Sequence, residues 1–204
     1  VPPAVALAAG GRVVVTQPRR IAARAAAARL AHLLGESVGE TVGYAVRGDR
    51  RTSSSTRIEV VTSGLLLRRL QADPGLDGVS AVVLDEVHER ALDSDLLLAL
   101  LLDVRGALRE DLALVAMSAT VEAERFAALL GGAPVIDVPG TLHPVTTSWA
   151  GPPPGVLPVD DRGVTPAFLA HVAATVRRAL AEREGDVLVF VPGAREVDRV
   201  CRAL

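Results

Sequence analysis

Three side chains suited to phosphate chemistry stand together in Asp85-Glu86-Val87-His88, directly behind the apolar run Val79-Ser80-Ala81-Val82-Val83-Leu84. Such a run reads as a buried parallel strand, so two carboxylates and an imidazole crown its carboxyl end. That is where open α/β sheets bind their ligands. An Asp there can hold Mg²⁺ against phosphate oxygens while the adjacent Glu positions or deprotonates a water. His88 could then report the state of the phosphate to a neighbouring domain. Acidic residues at strand ends also serve as helix caps or solvated loop residues, and a helix-start histidine is often bonded only locally, so the tetrapeptide does not decide alone. A zinc-protease arrangement fails, because His88-Glu89 is followed by no second His at helical spacing.

Polar groups gather at other strand ends in the same way. Arg12 to Val15 reads as a strand running into Thr16-Gln17-Pro18-Arg19-Arg20, Ile58 to Val61 into Thr62-Ser63-Gly64, and Leu112 to Met117 into Ser118-Ala119-Thr120. Thr16, Arg19 and Arg20 stand at a strand-to-helix junction, where free backbone N–H groups and guanidinium forks suit an anion. Thr62 and Gly64 make a second junction, the glycine permitting close approach of a backbone. Ser118 and Thr120 carry short hydroxyls able to bond Asp85 or His88; capping of a helix that starts near Glu122 is the other reading of Thr120. Tyr44 and Trp149 are candidate stacking platforms, with core packing the competing role for both.

Strand and helix signals alternate along the chain, which argues for an α/β fold with a parallel sheet and helices on both faces. Helices are expected over residues 19–34 with Gly35 as C-cap, then over 64–71, 93–104 and 122–130. A further strand pair is expected at 134–138 and 145–149, and residues 49–56 read as a polar surface loop. Gly151-Pro152-Pro153-Pro154-Gly155 can continue neither helix nor sheet. It opens a linker at 151–165 between a first domain at 1–150 and a second segment at 166–204, in which a helix (166–184), a strand (186–191) and a helix (195–204) are expected.

Half the residues are apolar, ample for a core. The apolar run from Leu96 to Leu102 is too short to span a bilayer, and the amino end shows no basic, signal-like segment, so a cytoplasmic location is expected. Cys201 is the single cysteine, which excludes an internal disulfide or a Cys-rich zinc site and leaves packing as its role. All 22 basic residues are Arg, so the chain has no P-loop lysine. The net charge of −2 conceals an asymmetry: residues 1–70 hold 11 Arg against Glu36, Glu40, Asp49 and Glu59, whereas the remainder holds 11 Arg and 20 acids. A solvated surface explains many Arg runs, but polarity of this size fits a face that meets a polyanion.

Taken in order, Thr16 to Ala23, Thr62 to Gly64, Asp85 to His88 and Ser118 to Thr120 resemble motifs Ia, Ib, II and III of the DEAH-box helicases of superfamily 2. Val189-Phe190-Val191-Pro192-Gly193, followed by Arg195-Glu196-Val197, resembles motif IV of the same family. The stretches Thr41 to Tyr44, Glu89 to Leu92 and Leu101 to Arg105 look most like its bacterial HrpB-type branch. The resemblance covers nearly the whole chain and implies a RecA-like first domain followed by the start of a second one. It implies ATP and Mg²⁺ as cofactors and single-stranded nucleic acid, RNA rather than DNA, as partner, for a monomer that does not engage membranes. By the same resemblance Asp85 coordinates Mg²⁺ through water, Glu86 orients the attacking water, His88 contacts the second domain, and Ser118 and Thr120 couple hydrolysis to strand separation. Thr16, Arg19, Arg20, Arg47, Thr62, Gly64 and Gly193 would meet the nucleic-acid backbone without reading bases. In Gly140-Thr141 the sequence departs from the family, where an Arg commonly follows that Gly. Two readings follow. One is a piece of an ATP-dependent RNA helicase that moves along or unwinds nucleic acid, inactive by itself for want of the P-loop lysine and the second-domain arginines. The other is a degenerate, non-hydrolysing nucleic-acid-binding or interaction module derived from a helicase core.

Overall fold

The computed structural model describes residues 10–119, 123–138, 140 and 143–204, and the chain divides into two compact units, Val1–Val138 and Pro139–Leu204. In the first, runs rich in β-branched residues form β1 (Arg12–Gln17), β4 (Ile58–Thr62) and β5 (Val79–Leu84), joined by β2 (Val42–Val46), β6 (Ala113–Ala116) and the three-residue β3 (Asp49–Arg51). They make one six-stranded sheet in the order β3-β2-β4-β1-β5-β6, parallel throughout except for the antiparallel β2–β3 edge. The carboxyl ends of β4, β1, β5 and β6 therefore lie side by side along one edge.

Alternation along the strands divides the core in two. Val13, Val15, Ile58, Val60, Ala81 and Val83 pack with Ala23, Ala27 and Ala31 of α1 (Arg20–Leu33), whose alanines repeat every fourth residue and so present one narrow face to the sheet. Val14, Val61, Val82 and Leu84 point the other way, into Leu66 and Leu70 of α2 (Ser63–Ala72), Leu97 and Leu101 of α3 (Leu92–Ala107) and Phe126 of α4 (Ala123–Leu129). Helices thus cover both faces, as expected. Helix α1 ends as the sequence suggests, with Gly35 at φ 71° and a Schellman pair of bonds, Glu36 N–H to Ala31 O at 3.0 Å and Gly35 N–H to His32 O at 3.1 Å.

Within this apolar sheet β4 carries a buried acid. Glu59 is 1% exposed and accepts two hydrogen bonds from the Arg69 guanidinium of α2, at 2.8 and 2.6 Å, with Arg12 at 4.0 Å. Burial alone would push its carboxyl upward, but the Arg69 hydrogen bonds and the charges of Arg69, Arg50 and Arg12 outweigh it and hold the carboxyl below its ordinary range. The pair pins α2, and with it the β4–α2 junction, to the sheet.

Several expectations are corrected. Residues 49–51 of the expected loop form the edge strand β3, because the Arg47-Gly48 turn folds them back onto β2. Residues 134–138 and 145–149 form no strand, and Val135, Ile136, Val138, Val145 and Trp149 are exposed. Apolar content makes a strand possible, but only a paired neighbour makes it one, and among the described residues none flanks these segments. Residues 186–191 are likewise unpaired, with Phe190 exposed. Trp149, 95% exposed, therefore has no core role, whereas Tyr44 is buried and donates its hydroxyl to Asp49 at 2.8 Å. Cys201 is exposed and does not pack.

In the second unit a short antiparallel ladder, β7 (Val159–Asp160) with β8 (Gly163–Val164), occupies part of the stretch read as linker. Helix α5 (Pro166–Glu182) follows with Thr165 as N-cap, its hydroxyl accepting from Phe168 N–H at 3.2 Å, and α6 (Ala194–Ala203) packs Val200 against Leu169 and Ala173. Among the described residues no helix is long and apolar enough to cross a membrane.

Candidate active site and nucleic-acid interface

Strand β5 ends at Leu84, registered against Thr16 of β1 and Ala116 of β6, so Asp85 emerges between two neighbouring strand ends. Its Oδ2 accepts from the Gln17 amide at 2.5 Å and its Oδ1 from Glu86 N–H at 2.9 Å. Burial raises the Asp85 carboxyl above its ordinary range; the Glu86 N–H and the Gln17 amide offset part of that rise. Glu86 follows in the left-handed region (φ 56°, ψ 35°), a conformation that costs a non-glycine residue about 1–2 kcal/mol. Backbone bonds from Met117 N–H to Leu84 O (2.8 Å) and from Val87 N–H to Met117 O (3.2 Å) fasten this turn to the end of β6. Strain held so firmly at a strand end is typical of a functional site.

His88 lies in a one-turn 3₁₀ helix, Val87–Glu89. Ala119 N–H donates to its Nδ1 at 3.3 Å, so Nδ1 carries no proton and Nε2–H faces Glu86 Oε2 at 3.3 Å. Asp85, Glu86 and His88 are thus brought together, and the link from the Ser118–Thr120 segment to His88 runs through the Ala119 backbone. Ser118 is exposed beside it, and Thr120 lies outside the described residues.

The two junctions take different forms. Arg19 is the N-cap of α1 with no side-chain cap and Arg20 its first residue, both exposed, which leaves the first-turn N–H groups open to an anion. The Arg19 guanidinium meets Glu89 at 3.3 Å. Thr16, by contrast, is 1% exposed inside β1, between Val61 and Leu84, so it holds a core position and does not reach the junction. Thr62 occupies the N-cap position of α2 without a side-chain cap, and with Gly64 and Arg47 it lines a groove of about 390 Å³ that also takes in Arg68, Gln71 and Asp93. A Cβ at Gly64 would stand 2.9 Å from Asp93 Oδ2, so the glycine keeps that wall open. Gly193 is the N-cap of α6 in the second unit, in extended backbone at φ −165°.

Sequence reasoning passed over Gln17, Arg68 and Gln71. Gly64, Arg68 and Gln71 share one face of α2 at i, i+4 and i+7, a signal that was available. Gln17 carried no such signal, because only the β1–β5 pairing sets it beside Asp85.

Among the described residues no three His, Cys, Asp or Glu side chains converge into a metal cage. The partly buried, hard carboxylate of Asp85 would suit Mg²⁺, which keeps several waters and shares its ligands with phosphate, better than a metal that needs a full protein shell.

Known proteins resemble this chain in sequence and in fold. The family described as DEAD/DEAH box helicase matches residues 3–128. The ATP-dependent RNA helicase HrpB of Escherichia coli (strain K12) is 44% identical over 190 residues, 93% of this chain and 22% of that protein. The probable ATP-dependent RNA helicase DHX40 of Rattus norvegicus is 38% identical over 198 residues, 95% of this chain and 25% of its own length. The crystal structure of the Escherichia coli DEAH/RHA helicase HrpB superposes with a TM-score of 0.76 at 43% identity, covering 95% of this chain and 23% of that one. The chain therefore spans about a quarter of the length of these relatives, and its six-stranded sheet has their RecA-like fold. With a carboxylate pair at the end of β5 and helix starts on the neighbouring β1 and β4 ends, the family match over more than half the chain places this protein in the DEAD/DEAH box helicase family.

Proposed function

We propose that this chain is the hydrolytic and backbone-gripping part of an ATP-dependent RNA helicase that acts as a monomer in the cytoplasm on single-stranded RNA. In this reading residues 1–150 belong to the first RecA-like domain, 151–165 to a linker and 166–204 to the start of a second RecA-like domain. The observation that carries it is the placement of Asp85 and Glu86 at the carboxyl end of β5, on the same sheet edge as the Arg19–Arg20 helix start. Asp85 would hold Mg²⁺ through water, and the ion would neutralise charge on the transferring phosphate. Glu86 orients and deprotonates a water, for which its carboxylate must leave the His88 Nε2–H it now faces. His88 ties that carboxylate to the Ser118–Thr120 segment through Ala119, a route by which Ser118 and Thr120 would couple hydrolysis to strand separation. Arg19, Arg20, Arg47, Thr62 and Gly64, with Gly193 from the second unit, contact phosphates and read no bases.

The test is Glu86→Gln in the full-length protein. The amide keeps shape but cannot act as a base, so nucleotide binding should persist while RNA-stimulated phosphate release falls by about 10²-fold or more. Turnover at the wild-type rate would make Glu86 a structural turn residue. Wild-type protein that binds RNA without hydrolysing nucleotide would favour the non-hydrolysing binding module.

A further inference from the structure

Gln17 is the last residue of β1, the strand between β4 and β5, and it is 7% exposed. On one side its register partner is Thr62, at the N-cap position of α2. On the other its Nε2 reaches Asp85 Oδ2 at 2.5 Å. With Glu86 N–H on Oδ1 at 2.9 Å, both oxygens of the carboxylate are held, and its plane is set by two donors from different elements. Each oxygen keeps a second lone pair for water or a cation. The choice of donor matters. An Arg or Lys at this point would neutralise the carboxylate and repel a divalent ion, whereas a neutral amide orients the charge and leaves it intact.

The other end of the connection is equally short. Pro18 follows, with fixed φ and no N–H of its own to bond, and after it come Arg19 and Arg20 at the open start of α1. Arg19 makes a second tie to the same turn through Glu89. A phosphate that draws on Arg19 and Arg20 therefore acts on a segment whose preceding side chain grips Asp85.

Resting on the function proposed above, we infer that Gln17 is a positioning residue that orients the Asp85 carboxylate for Mg²⁺ and links it to phosphate-backbone occupancy of the Arg19–Arg20 junction.

The experiment uses the full-length protein and two binding readouts that involve no turnover. One is the Mg²⁺ concentration that half-saturates binding of ADP by calorimetry. The other is the affinity for a labelled oligouridylate, by anisotropy, with and without Mg²⁺ and ADP. In the wild type the ratio of the two oligouridylate affinities measures the coupling, which linkage requires to be reciprocal. Gln17→Ala should raise the half-saturating Mg²⁺ by about tenfold, as loss of one charge-assisted hydrogen bond would. It should also bring the affinity ratio to unity while keeping the nucleotide-free RNA affinity. Gln17→Met, similar in size and without a hydrogen-bond donor, should do the same; it stands in if the alanine variant fails to fold by circular dichroism. A folded variant with unchanged half-saturation and an unchanged ratio overturns the inference and leaves the functional reading standing. Wild-type protein that binds neither ADP nor oligouridylate overturns both.

Discussion

At the scale of single residues, charge burial divides this molecule's acids into one placed for stability and one placed against it. The Asp85 carboxyl is raised by burial, so the folded state binds a proton more tightly than the unfolded chain does. Stability therefore falls as pH rises from the ordinary value of 3.8 through the raised one, and at neutral pH the ionised group weighs against folding. Asp85→Asn should raise the thermal unfolding midpoint at neutral pH while abolishing Mg²⁺-dependent nucleotide binding, a trade expected of a functional site. A lowered midpoint would show that the carboxylate is a structural acceptor for Gln17 and Glu86. Glu59 is the opposite case. Its carboxyl lies below the ordinary value of 4.5, so the stability it contributes is complete above that value and is lost as pH falls through the folded one. Glu59→Ala should cost about 1–3 kcal/mol by leaving the partly exposed Arg69 without its partner, and it should flatten the acid limb of a stability profile taken between about pH 5 and pH 2. In the sequence Glu59 is one acid among many, because burial is a property of β4's central place in the sheet.

At the scale of elements, the β4–α2 junction exchanges helix stability for an open groove. Gly64 sits in the first turn of α2, where Ala would be favoured by about 1 kcal/mol. The Cβ would press on Asp93 Oδ2, the mobile end of a side chain, and drive that carboxylate toward the groove lined by Arg47, Thr62 and Arg68. Gly64→Ala should therefore leave the unfolding midpoint unchanged or slightly higher and weaken single-strand binding by about tenfold, comparable to losing one charge-assisted hydrogen bond. Equal losses in both would mean that the glycine serves packing. Strands β1, β4 and β5 and helices α1 to α3 were legible because apolar period and caps are local. Strand β2, interrupted by Gly43 at its second position, and the three-residue β3 lacked a run long enough to read. Residues 134–138, 145–149 and 186–191 had the apolar content of strands, but among the described residues no neighbouring strand pairs with them.

At the scale of the whole molecule, charge is segregated: the first 70 residues hold 11 Arg and four acids, and they contain both helix starts on the β1 and β4 ends. A field of that sign attracts a polyanion without regard to base identity. Neutralising Arg19 and Arg20 together in the full-length protein should weaken binding of all homopolymer strands about equally. It should also flatten the log–log salt dependence by roughly 0.7 for each phosphate no longer neutralised, read by anisotropy across a salt series. An unchanged slope would assign Arg19 to its Glu89 pair alone. Alternation of strand and helix, the ends of α1, the polarity of charge and the order of the motifs were determined by the sequence itself, since each rests on neighbours a few residues apart. The tertiary structure alone decided that Gln17 faces Asp85, that Ala119 N–H selects the His88 tautomer facing Glu86, and that Thr16 is shut between Val61 and Leu84. Those contacts depend on β1 lying between β4 and β5, a strand order set by non-local pairing that leaves no trace in the local pattern of residues.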